Sequence, residues 1–151
     1  MTELPRQTYV DGEDAEAEQK IAELFAIARR GRQIKIGADD PVKLKPSVDR
    51  AFIRADRISA FFEVKRCGVW TFADAPFWTV SARKTGELCE LERIVRVPCL
   101  FVVQFGCGTI VWLNPIRDPH MTVLNWGRHD RDDPLDYETG ARFEIRRFKP
   151  C

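Results

Sequence analysis

Apolar positions recur along this chain with two different periods, and the switches between them mark out its elements. From Asp11 or Gly12 to Arg30, the residues Ala17, Ile21, Leu24, Phe25 and Ala28 share one 3.6-residue stripe, which predicts a helix. Glu13, Asp14 and Glu16 stand at its start and Arg29 and Arg30 at its end, the charge order that a helix dipole favours, and Gly31 predicts the stop. Residues 32–37 read as a short strand and residues 38–41 as a turn. Residues 48–67 predict two apolar-rich strands joined by a turn around Ala55, Asp56 and Arg57. Helical spacing returns over residues 81–95, where Lys84, Leu88, Leu91 and Val95 share a stripe. Beyond Pro98, residues 99–105 are apolar almost without a break, the pattern of a strand buried on both faces. Gly106, Cys107 and Gly108 turn this strand into another over residues 109–113. Alternation over residues 142–148 predicts a terminal edge strand with Arg142, Arg146 and Lys149 as an outward basic ridge.

The chemistry gathers at the open end of the predicted hairpin. Asp49 begins its first strand, and Glu63-Val64-Lys65 lies near the end of its second. Glu63 and Lys65 are two apart, so they leave the same face. A three-residue turn would put Asp49 opposite Glu63, whereas a two-residue turn would put it on the other face. The two carboxylates therefore converge only if the turn is odd or if a bulge offsets a two-residue turn. Two converging carboxylates beside apolar surface repel unless a cation joins them, and Mg²⁺ (or Mn²⁺) suits oxygen ligands. The alternative is a surface hairpin in which Lys65 neutralises two acidic neighbours.

Asp49, thirteen residues, and then Glu-x-Lys on a hairpin resembles the active-site signature of the PD-(D/E)XK nuclease superfamily, with Val48 where the signature has proline. Helix, three strands, helix and two strands is also the order of that fold. The resemblance implies an α/β protein, a central mixed sheet flanked by helices in a restriction-endonuclease-like αβββαβ core, with a C-terminal strand and loop extension. It implies that Asp49, Glu63 and the carbonyl of Val64 hold the metal, while Lys65 orients water or stabilises charge on the phosphate. Glu18 borders the first apolar stripe and resembles the helix glutamate of Holliday-junction-resolvase-like members, the alternative being a solvated side chain. Lys84, a cation on an apolar helix face, is the counterpart expected to contact phosphate, the alternative being an amine that snorkels. The activity implied is metal-dependent hydrolysis of DNA, as in small phage- and prophage-encoded members. A catalytically inactive DNA-binding or accessory protein on the same fold is the second reading, since fold does not fix function. A structural protein with an ion-paired hairpin is the third.

Composition narrows the partners. The 151 residues are 44% hydrophobic and 31% charged with a net charge of +1, a globular composition without a global basic field. DNA would therefore be met by local Arg and Lys clusters, Lys43 and Lys45 among them, unless these belong to a solvated loop. Trp70, Phe72, Phe77 and Trp78 lie within residues 67–79, which predict a loop folded over the core or, alternatively, stacking faces for bases. The apolar run at 97–113 is broken by Pro98, Gln104 and two glycines, so no membrane span is expected. A polar N-terminus and five cysteines without metal spacing predict reduced thiols and a cytoplasmic setting. His129 lies among aspartates at 126–138 without regular ligand spacing, so that loop predicts Arg–Asp pairs. One domain over 1–151 is expected, with residues 1–10 a flexible arm, residues 115–151 the C-terminal extension, and a homodimer as one way to cut both strands.

Overall fold

A computed structural model describes residues 12–36, 48–67, 76–127 and 137–151. The expected arm, Lys43, Lys45, Trp70, Phe72 and the charged loop around His129 lie outside these residues. The described residues form two α-helices and nine strands: α1 (Gly12–Ala28), β1 (Arg32–Lys35), β2 (Arg50–Arg54), β3 (Arg57–Cys67), β4 (Phe77–Ser81), α2 (Ala82–Val95), β5 (Cys99–Phe105), β6 (Ile110–Leu113), β7 (Met121–Gly127), β8 (Tyr137–Glu144) and β9 (Lys149–Pro150). Six strands make a mixed sheet in the order β1-β2-β3-β5-β6-β9, in which β3 and β5 run parallel and the other pairs antiparallel. A second sheet, β4-β8-β7, is antiparallel.

Alternation along β5 places the two halves of the core. Leu100 and Val102 face α1 together with Phe52, Phe62 and Val64, against Ile21, Ala22, Phe25 and Ala26. Cys99, Phe101, Val103 and Phe105 face the other way, against Leu88 of α2 and against Trp78, Val80, Ala141 and Phe143 of the small sheet. The double-sided strand read from the sequence is thus the centre of the molecule. Trp78 meets Phe101 edge-on with centroids 5.1 Å apart, which seats the small sheet beside α2.

Three expectations are corrected. The buried stripe of α1 runs through Ile21, Ala22, Phe25 and Ala26, while Leu24 (44% exposed) and Ala28 turn outward. Small alanines let the helix approach the sheet more closely than a leucine would. Part of the aromatic loop is strand β4, because Trp78 and Val80 find partners on a strand some sixty residues later. Of the C-terminal alternation, only residues 142–144 belong to a strand, β8, which is central in its sheet and not an edge; the chain then makes a 3-10 turn at Ile145–Arg147. Its cations form no ridge: Arg142 lies over the Phe77 ring, Arg146 pairs with Glu144, and Lys149 lies over Trp112.

Helix α1 ends as the sequence suggested, with one difference. The left-handed residue is Arg30 (φ 59°), and Gly31 follows it, donating its N–H to the Ala26 carbonyl. Gly31 is needed for space, since a Cβ there would lie 2.4 Å from the Phe52 ring.

Between β2 and β3 the turn is two residues, with Ala55 (φ 51°) and Asp56 (φ 58°) both left-handed. Neither is the residue such a turn prefers. Replacing the pair with Asn-Gly is expected to stabilise the fold by about 1 kcal/mol, read as a rise in Tm of about 2–4 °C. Unchanged melting would show that the turn's strain is already relieved elsewhere.

Candidate active site

The register of the hairpin decides which side chains meet. Near the tip, Arg54 pairs with Arg57 and Ile53 with Ile58, but then Phe52 pairs with Ala60 and Arg50 with Phe62. Ser59 is the extra residue, a bulge that shifts the rest of β3 by one. The two-residue turn with a compensating bulge is therefore what the chain adopts. One step beyond the last pair, Asp49 falls opposite Glu63 on the face turned away from α1.

Glu63 is 3% exposed, a carboxylate set in a strand whose neighbours Phe62 and Val64 are fully buried. Its Oε1 lies 3.0 Å from the Lys65 Nζ and its Oε2 3.2 Å from the Lys84 Nζ. The second contact is an ion pair without a well-directed hydrogen bond, which leaves Oε2 buried and short of a partner. Burial raises the Glu63 carboxyl above the usual carboxylate range; Lys65 opposes the rise, Asp49 adds to it, and Lys84 opposes it less strongly. Burial works against the charged Lys65 amine, but Glu63, Asp49 and Glu18 together outweigh it and raise its pKa.

Each of these side chains arrives by a distinct local cause. Lys84 is the third residue of α2, fixed there by Ser81, whose Oγ accepts from the Lys84 N–H at 3.4 Å. Thr85 Oγ1 donates to the Ser81 carbonyl at 3.1 Å and ties the same turn. A cation in a first helical turn sits at the unfavourable end of the helix dipole, and α2 has no acidic residue there. Glu63 supplies the missing negative charge. Lys65 retains 39% side-chain exposure, so its amine reaches both the carboxylate and the opening of the site.

Glu63 thus interacts with Asp49, Lys65 and Lys84, and Lys65 with Glu63, Asp49 and Glu18, so the five residues are linked through Glu63 and Lys65. Glu18 is half-buried on α1, four residues before Ala22 and seven before Phe25 on the packed side of the helix. Among the described residues no three His, Cys, Asp or Glu side chains form a ready metal-holding group. Asp49, Glu63 and a backbone carbonyl such as that of Val64 nevertheless make an all-oxygen donor set that suits a hard cation. The under-partnered Glu63 Oε2 fits such a ligand.

One residue escaped sequence reasoning. Arg50 is 4% exposed, and its Nη1 donates to Gln19 Oε1 at 2.6 Å and to Gln33 Oε1 at 3.1 Å. It follows Asp49 and reaches the residue after Glu18, so it ties α1 to the hairpin where both acids stand. Its signal was an arginine inside an apolar strand. The five cysteines are free thiols, and burial pushes that of Cys99 up to about 12. No described helix is long and apolar enough to cross a membrane.

A family model described as "Phage putative PDDEXK endonuclease" matches residues 4–151. Among solved structures, the chain is similar to Hjc of Archaeoglobus fulgidus, a Holliday junction resolvase from an archaeal hyperthermophile, with a TM-score of 0.55 at 9% identity. That match covers 87% of this chain and 84% of the other, and it bears on the fold alone. No curated protein matches.

Proposed function

Since the chain belongs to the phage PDDEXK endonuclease family, a family of nucleases, we propose that it hydrolyses phosphodiester bonds in DNA with the help of Mg²⁺ or Mn²⁺ at Asp49 and Glu63. The observation that carries this reading is a carboxylate 3% exposed, within electrostatic reach of Asp49 and bracketed by two lysines at 3.0 and 3.2 Å. Few arrangements justify burying a charge whose ionisation the fold opposes, and active sites are prominent among them.

In this reading Asp49, Glu63 and the Val64 carbonyl hold the ion. When bound, the ion supplies Lewis-acid polarisation of the phosphate and a more acidic water. Lys65, exposed at the opening, places positive charge where the attacked phosphate gains negative charge. Lys84 holds the far side of Glu63 and faces the same phosphate. Glu18 balances Lys65 and orients its amine, while Arg50 positions the backbone of Asp49. A homodimer would allow two such sites to act on two strands.

The second reading, a DNA-binding protein that does not cut, is favoured by the pairing of both Glu63 oxygens with amines. One experiment separates the two. Plasmid, linear and branched DNA are incubated with the protein and Mg²⁺, Mn²⁺ or EDTA, beside Asp49→Ala. Cleavage that needs the ion and is lost in Asp49→Ala is expected. Intact DNA in every lane, with binding retained, would establish the second reading.

A further inference from the structure

Helix α1 covers only part of its face of the large sheet. Past its end, the starts of β3 and β5 and the strand β6 leave a groove of about 500 Å³ with Phe52, Ala60, Leu100 and Trp112 in its wall. Five cations line it, Arg29, Arg54, Arg117, Arg147 and Lys149, against one carboxylate, Asp118. The whole chain carries a net charge of only +1, so this excess of four is a concentration and not a sample of the average surface.

The cations are poorly satisfied. Arg147 Nη1 lies 3.3 Å from Asp118 Oδ1, but its Nε is buried with no hydrogen-bond partner. Arg117 approaches Glu92 only to 4.0 Å. Arg29 and Lys149 each lie 5.0 Å from the Trp112 centroid, held by the ring face and, among the described residues, by no carboxylate. Arg54 makes no ion pair among the described residues. Like charges packed at this density repel, and a polyanion would relieve them.

We propose that this groove binds the sugar–phosphate backbone of DNA at a site separate from Glu63. The identity of the polyanion rests on the nuclease reading above; the groove itself does not. Ala60 faces the groove, while Glu63 and Lys65 lie three and five residues further along β3 on the opposite face. At about 3.3 Å per residue the two sites are separated by roughly 10–17 Å along the strand, with the sheet between them. The groove therefore takes a different stretch of backbone from the one presented to Lys65. It lengthens the footprint and anchors the substrate without touching the reacting bond.

The test reads binding apart from cutting, in EDTA, by fluorescence anisotropy on a labelled duplex about 30 base pairs long across a series of KCl concentrations. Arg54→Ala and Lys149→Ala should each reduce the slope of log K against log salt by about 1, and the double variant by about 2. The double variant should bind at least about tenfold more weakly at low salt. Arg93→Ala, on the outer side of α2, should change neither. Thermal melting checks each fold, and Arg54→Ala alone suffices if the Lys149 variant unfolds, because Arg54 lies exposed at the hairpin tip. Equal slopes for wild type and the Arg54 variant, or a wild type that binds no DNA, would overturn the proposal. So would a change in sedimenting mass with no change in slope, which would assign the groove to a second copy. Asp49→Ala should keep the full slope while losing cleavage, so the groove and the cutting site fail separately.

Discussion

Lys65→Ala cleaves DNA about 10²–10³-fold more slowly than wild type, while the metal-induced rise in melting temperature is largely retained. This is the expected result if the Lys65 amine acts on the phosphate and is not a ligand. Loss of one preorganised contact to developing charge is worth about 3–4 kcal/mol, which sets that range. The position supports the role: Lys65 keeps 39% side-chain exposure, yet its pKa is raised by three carboxylates, so it stays charged at the mouth of the site. Single-turnover cleavage with saturating protein isolates the chemical step. A variant that cuts at the wild-type rate would remove Lys65 from the mechanism and leave Lys84 as the cation facing the phosphate. Lys65→Arg should rescue little, since a planar fork does not replace a compact ammonium.

The second large effect is on stability and has two signs. Glu63→Gln should raise the melting temperature of the metal-free protein at neutral pH and remove most of its response to Mg²⁺. Because the folded state raises the Glu63 carboxyl above its ordinary value of 4.5, the fold binds that proton more tightly than the unfolded chain does. The stability contributed by this group is therefore full below about pH 4.5 and declines as pH rises through the folded value. Glutamine imitates the protonated form at every pH. Its advantage should be small in acid and reach a plateau above the folded pKa; the attraction of Lys65 and Lys84 is already inside that balance. With Mg²⁺ at about ten times its Kd, wild type should gain roughly 1.4 kcal/mol, or about 3–6 °C in Tm, and the variant almost nothing. Equal metal shifts in the two proteins would place the ion elsewhere.

The sequence carried the order of elements well because each signal was local. The 3.6-residue stripes and the nearly unbroken apolar run of β5 are properties of neighbouring residues. Lys84 could be singled out because a cation on an apolar helix face has few explanations, and it is found beside Glu63. What could not be read was pairing across distance. Trp78 and Phe143 belong to β4 and β8, paired strands separated by some sixty residues, and nothing in either segment names the other. In α1, Leu24 fits the 3.6-residue period as well as Ala22 and Ala26 do, and only the close approach to a sheet, which rewards small side chains, buries the alanines. The role of Arg50 is equally non-local, since its buried guanidinium depends on acceptors from two other elements, Gln19 and Gln33. The hairpin register was legible only as a condition, an odd turn or a bulge.

That condition has an arithmetic of its own. With a two-residue turn, the odd number of residues between Asp49 and Glu63 leaves one extra residue in one strand if the two are to share a face, and Ser59 is that residue. Deleting Ser59 would leave a regular two-residue hairpin, with Ala60 still opposite Phe52 and Phe62 still opposite Arg50, so Asp49 would keep its place opposite Glu63. The bulge therefore acts as slack in the strand. A residue lost near the tip can be taken from the bulge, and a residue gained can lengthen the turn, while the acids at the open end stay in step. What the deletion removes is the extra local twist that a bulge gives its strand.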